Sequence, residues 1–125
     1  MKYIIYALVA VILLLGIAFA LSNIPSKSGK YDDFASCINN SGAKFWGAFW
    51  CSHCAEQKNI FGKSAKLLPY TECSTPDARN QTKVCADAGI TSYPAWDFPG
   101  KERQFGVQSL ESLSEFTACP LPNKQ

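Results

Sequence analysis

The 125-residue sequence is poor in histidine, in methionine and in net charge, and each scarcity removes a class of function. Lysine and arginine number 12 against 10 aspartates and glutamates, leaving a formal charge of only +2. Both signs are scattered and no basic run extends beyond Lys63 and Lys66, so no electrostatic footprint for nucleic acid is present. His53 is the only histidine, and no second Cys-x-x-C accompanies the one at Cys51 and Cys54. The four ligands of a structural zinc site are therefore missing, and neither a metal nor another cofactor is expected. Internal repeats and low-complexity tracts are also lacking, whereas 47% of residues are apolar, which argues against disorder.

The apolar residues are unevenly spread. From Tyr3 to Leu21 the chain is almost wholly apolar and follows Lys2, a run long enough to cross the roughly 30 Å core of a bilayer as a helix. Its length favours an uncleaved anchor, while Ala18-Phe19-Ala20 satisfies the small-x-small pattern of a cleaved signal peptide. In both readings the positive end stays in the cytoplasm and everything after Ser22 is exported. The expected organisation is an anchor or signal over residues 1–22, a polar linker over 23–30, a globular domain over 31–120 and a short tail over 121–125. The domain is large enough to bury a core of its own.

Six cysteines in a short exported chain point to an oxidising compartment. Cys51 and Cys54 form the Cys-x-x-C, Cys73 and Cys85 bracket a polar loop, and Cys37 and Cys119 lie near the two ends of the domain. The Cys73/Cys85 pair reads as a structural disulfide, with a second relay pair as the alternative. Cys37 and Cys119 can pair with each other or stay free, because spacing does not settle their distance.

Hydropathy patterning predicts helices and strands in alternation. Asp32 or Asp33 is placed to cap a helix carrying Phe34, Cys37 and Ile38, with Gly42 as its left-handed stop. Phe45 to Trp50 reads as a central strand buried on both faces. A helix beginning at Cys51 presents Cys54, Phe61 and Ala65, and Leu67 to Glu72 forms a strand that Pro69 confines to a sheet edge. A shorter helix with Val84, Cys85 and Ala88 stops at Gly89. Strands at Ala95–Phe98 and Arg103–Phe105 flank a Pro99-Gly100 turn, and Ser109 caps a last helix with Leu110, Leu113 and Phe116 inward. The order gives an α/β fold with a mixed sheet, its parallel crossover first and its antiparallel hairpin last.

A Cys-x-x-C can serve zinc, a structural bond or redox exchange. Zinc lacks its other ligands, and a bond between residues three apart closes too small a loop to stabilise much. Two cysteines where a buried strand meets a helix amino terminus suit redox chemistry instead. The free N–H groups and positive dipole end favour a Cys51 thiolate, and Cys54, one turn in, is positioned to attack.

Phe49-Trp50-Cys51-Ser52-His53-Cys54 resembles the W-C-x-x-C active site of thioredoxin-like proteins, and Gly89-Ile90-Thr91-Ser92-Tyr93-Pro94 resembles the segment supplying that family's cis-proline. The resemblance implies a thioredoxin-like fold with Pro94 opposite the cysteines, an ordinary trans proline at the start of a strand being the alternative. Several further segments lie in matching order: Gly47-Ala48, Gln57-Lys58, Phe61-Gly62, Tyr70-Thr71-Glu72-Cys73 and Gly106-Val107-Gln108-Ser109-Leu110. Together they are similar to the thioredoxin-like domain fused to, or partnering, bacterial vitamin K epoxide reductase homologues.

That likeness implies an oxidase that takes electrons from exported proteins with cysteine thiols and passes them to a membrane quinone reductase. The helical bundle of that enzyme is not in this sequence, so the expected acceptor is a separate chain or another membrane partner. Ser52 stands where proline is common in the family, and Phe45 where thioredoxin has a buried carboxylate, which leaves the proton acceptor for Cys54 open. The first strand of thioredoxin is also expected to be missing. His53 is expected to tune the Cys51 thiolate, and Trp50 and Tyr93 to form an apolar rim for extended polypeptide. Two alternatives remain at this stage: a reductase of exported disulfides, as in cytochrome maturation, and a redox-inert binding module.

Overall fold

The computed structural model describes residues 1–22 and 28–121. The greater part of the expected linker, residues 23–27, and of the tail, 122–125, lies outside the described residues. The apolar run forms helix α1 (Lys2–Ser22), none of whose residues is buried. At 1.5 Å per residue its 21 residues extend about 31 Å, long enough to cross a membrane.

After it come α2 (Asp32–Asn40), β1 (Lys44–Gly47), α3 (Ser52–Phe61), a 3₁₀ turn (Gly62–Leu67), β2 (Tyr70–Glu72), α4 (Lys83–Asp87), β3 (Ala95–Asp97), β4 (Gln104–Phe105) and α5 (Leu110–Thr117). The four strands form one sheet in the order β2-β1-β3-β4. β1 runs parallel to β2 and antiparallel to β3, which is antiparallel to β4. This is the mixed α/β architecture of a thioredoxin-like domain, with β2 on the edge that Pro69 demanded.

Alternation along β1 sends Phe45 and Trp46 into different halves of the core. On one face, Phe45 stacks on its cross-strand partner Trp96 at 4.6 Å between ring centroids. The stack continues through Phe98 to Phe116 of α5. Phe34 of α2 stacks on Phe61 of α3 to complete that side. On the other face Trp46 packs with Cys73, Cys85, Ile90 and Ala95. The Trp46 indole N–H donates to Asp97, whose carboxylate also receives Arg103, and the guanidinium of Arg103 reaches the carbonyls of Ala88 and Gly89. The Arg103 partner holds the Asp97 carboxyl below its usual range. That network joins β1, the β3–β4 hairpin and the end of α4.

The structure corrects several boundaries. β1 stops at Gly47, because its neighbours β2 and β3 supply partners only that far, and Phe49 and Trp50 are more than half exposed. β2 starts after Pro69, with Leu67 still in the 3₁₀ turn. Neither Asp32 nor Asp33 is the N-cap of α2: Tyr31 holds that position, and the Asp32 carboxylate folds back to accept the Gly29 N–H. α3 ends at Phe61, where Gly62 takes φ +54° and the chain tightens, so Ala65 lies in the 3₁₀ turn. Val84 points to solvent. Elsewhere the local signals act as read: Gly42 takes a positive φ after α2, Gly100 takes φ +72° in a turn closed by Lys101 N–H to Phe98, and the Ser109 hydroxyl accepts from Ser112 N–H.

Candidate active site

The site forms where β1 ends. Register pairs Trp46 with Ala95, so the segment leaving β1 toward Cys51 and the segment entering β3 from Pro94 meet at the same end of the sheet. The Cys51 N–H bonds to the Ala48 carbonyl, closing a turn that sets Cys51 at the N-cap of α3. Its sulfur accepts the Cys54 N–H at 3.2 Å, one of the donors that a helix start leaves unpaired.

Cys54 is less accessible, at 1% exposure against 8% for Cys51, and its Sγ lies 2.7 Å from that of Cys51. Burial, followed by the hydrogen bond to Cys51, pushes the Cys54 thiol up to about 12. The two sulfurs therefore differ in kind: both are buried, but one accepts a backbone donor and the other holds its proton.

The remaining four cysteines are closed. Cys37 of α2 is bonded to Cys119 beyond α5, and Cys73 at the end of β2 to Cys85 of α4. The Tyr93–Pro94 peptide is cis and Pro94 is buried. Trp50 and Tyr93 meet edge to face at 5.9 Å, and the Trp50 indole donates to Ser74 while Tyr93 Oη receives Gln81. Both rings line a cavity of about 210 Å³ whose other side is the 78–81 stretch of the polar loop. His53 is largely exposed, and its Nδ1 pairs with Glu56, 3.2 Å away on the outer face of α3.

Three residues near the pair were not singled out by sequence. Gln57, one turn beyond Cys54, is completely buried and ties α3 to Trp96 and to the backbone of Gln108. A glutamine on the stripe of Cys54 and Phe61 was the available signal. Tyr70 of β2 lies across Gly47 from Cys54, and its hydroxyl donates to Glu72. A Cβ at Gly47 would come within 2.7 Å of the Tyr70 ring and 3.0 Å of Cys54 Sγ. Strand pairing, which sequence does not display, brings them together.

The fold and the placement of the dithiol define a thioredoxin-like domain with its Cys-x-x-C at a helix start and a cis X-Pro peptide at the same end of the sheet. Among known proteins, thiol-disulfide oxidoreductase LTO1 of Arabidopsis thaliana is 42% identical over 105 residues, covering 80% of this chain. The match spans 28% of that protein's length, so this chain corresponds to about a quarter of it. No family model matches the sequence.

Proposed function

We propose that the protein is a membrane-tethered thiol-disulfide oxidoreductase that oxidises thiols of exported proteins outside the cytoplasm. Its electrons pass to a membrane quinone reductase of the vitamin K epoxide reductase type. The observation that carries this reading is the contrast within the dithiol: an N-capping Cys51 that accepts a backbone N–H, above a buried Cys54. The name of the Arabidopsis relative supports the reaction class. Helix α1 supports the tether, and two closed disulfides support an oxidising compartment.

The reaction runs through exchange. A substrate thiolate attacks Cys51 Sγ of the oxidised pair, the Cys51–Cys54 bond breaks, and Cys54 leaves as a thiolate that takes up a proton. A second substrate thiolate then attacks the substrate sulfur of the mixed disulfide. Oxidised product departs and Cys51 is released, so two electrons rest on the dithiol until the quinone reductase removes them. Trp50 and Tyr93 form the rim over which an extended polypeptide lies. Cys51 is the sulfur that exchanges with substrate, and Pro94 shapes the opposite wall.

Direction is tested by the reduction potential of Cys51–Cys54 in the full chain, equilibrated with glutathione buffers in detergent. A value between roughly −120 and −200 mV is expected of a disulfide donor, and one at or below roughly −270 mV would reverse the electron flow to that of a reductase.

A further inference from the structure

A buried thiol must lose its proton before it can attack, and Cys54 has to do so whenever the Cys51 mixed disulfide is resolved. Of the groups in α3, Lys58 acts on Cys54 through its charge, which favours the thiolate but offers the proton no acceptor. From the 3₁₀ turn, Lys66 is likewise cationic. From β2, Tyr70 lies across Gly47 from Cys54. Taken from the Gly47 Cβ position, the ring carbon Cε2 of Tyr70 and Cys54 Sγ lie at most 5.7 Å apart, the sum of the 2.7 and 3.0 Å approaches. The Tyr70 hydroxyl donates to Glu72 Oε2 at 2.7 Å. Glu72 Oε1 accepts the N–H groups of Phe49 and Ser74, so the carboxylate receives three donors.

We propose that Tyr70 and Glu72 form a proton relay that takes the Cys54 proton when Cys54 attacks Cys51 and returns it when Cys54 leaves. This rests on the oxidoreductase reading and supplies the acceptor that Phe45 cannot. In the attack, the Cys54 proton passes to the Tyr70 oxygen as the Tyr70 proton moves to Glu72. Cys54 Sγ then bonds to Cys51 Sγ, and the thiolate previously attached to Cys51 departs with the bonding pair.

Burial and the Glu72 hydrogen bond hold the Tyr70 phenol far above its ordinary value, so it passes a proton on instead of remaining ionised. Lys58 Nζ sits 3.4 Å over the Tyr70 ring. Beside both lies a cavity of about 350 Å³, bounded also by Ala65, Lys66 and Leu68.

The test uses the reduced full chain in detergent mixed rapidly with dithiobis-nitrobenzoate. Only Cys51 and Cys54 are free to react. Cys51 attacks the reagent and releases one thionitrobenzoate; Cys54 then attacks Cys51 and releases the second. Tyr70→Phe keeps the ring against Phe45 and Lys58, and Glu72→Gln keeps a carbonyl oxygen for the N–H donors. Each is expected to slow the second release about 100-fold at neutral pH while leaving the first unchanged. In each variant the second rate should then climb in proportion to hydroxide. The double variant should be no slower than the slower single one, as for two groups in series. A second phase with parental rate and pH profile in both variants would overturn the relay alone. Slowing of both phases together would reduce the two residues to a structural role and overturn it too. A parent that never releases the second equivalent would bring down the oxidoreductase reading with it.

Discussion

β1 and β2 run side by side in parallel, and each ends close to a cysteine with a different fate. Cys73 directly follows β2. Its N–H bonds back to the Gly47 carbonyl of β1, it has no exposed surface, and its sulfur is bonded to Cys85. Cys51 comes four residues after β1, beyond a turn that carries Phe49 and Trp50 into solvent, and it caps a helix as a free thiol with a backbone donor on its sulfur. The two cysteines share a sheet and a compartment, so neither accounts for the difference. What separates them is where the chain leaves the ladder: immediate departure sets Cys73 against its partner Cys85, and a short turn into a helix start leaves Cys51 a free thiol with a backbone donor on its sulfur.

The contrast can be broken from the closed side first. Removing Cys37–Cys119, which spans 82 residues, is expected to cost about 4–5 kcal/mol on the loop-entropy model, and removing Cys73–Cys85, which spans 12, about 3 kcal/mol. Urea unfolding of the paired alanine variants checks both values. Exchange activity per folded molecule should survive in each, and its loss on opening Cys73–Cys85 would make that bond part of the chemistry.

A smaller, pH-limited effect sharpens the open side. The folded reduced protein holds the Cys54 proton to about 12 against an ordinary 9.0, so it binds that proton more tightly than the unfolded chain. The resulting stability is complete below about pH 9 and is lost as pH rises toward 12, in the reduced form only. Unfolding midpoints of the two redox forms should therefore shift relative to each other above pH 9, the reduced form losing stability, and a constant difference would contradict the burial of Cys54.

Most of the architecture was legible in sequence because it rests on local signals: the apolar run of α1, the Pro99-Gly100 turn, the Ser109 cap and the edge position imposed by Pro69. Misplaced boundaries arose where an apolar residue serves the surface. Phe49 and Trp50 look like strand interior and are more than half exposed, and Asp32 looks like a cap and instead binds backward to Gly29. Of the site, the dithiol and the proline segment stand out as motifs. The pairing of Cys37 with Cys119, the close approach of Tyr70 and Cys54 that Gly47 allows and the Tyr70–Glu72 pair depend on which strands become neighbours, and one chain read alone does not show this. The Glu56 partner of His53, one turn along α3, follows from helical spacing.

The most direct measurement of the difference between the two sulfurs is adduct formation in the full chain in detergent, with oxidised glutathione as the probe and intact mass as the readout. The Cys54→Ala variant is expected to retain one glutathione through Cys51, and the Cys51→Ala variant none. An adduct of equal yield on Cys51→Ala, or none on Cys54→Ala, would contradict the assignment of Cys51 as the exchanging sulfur.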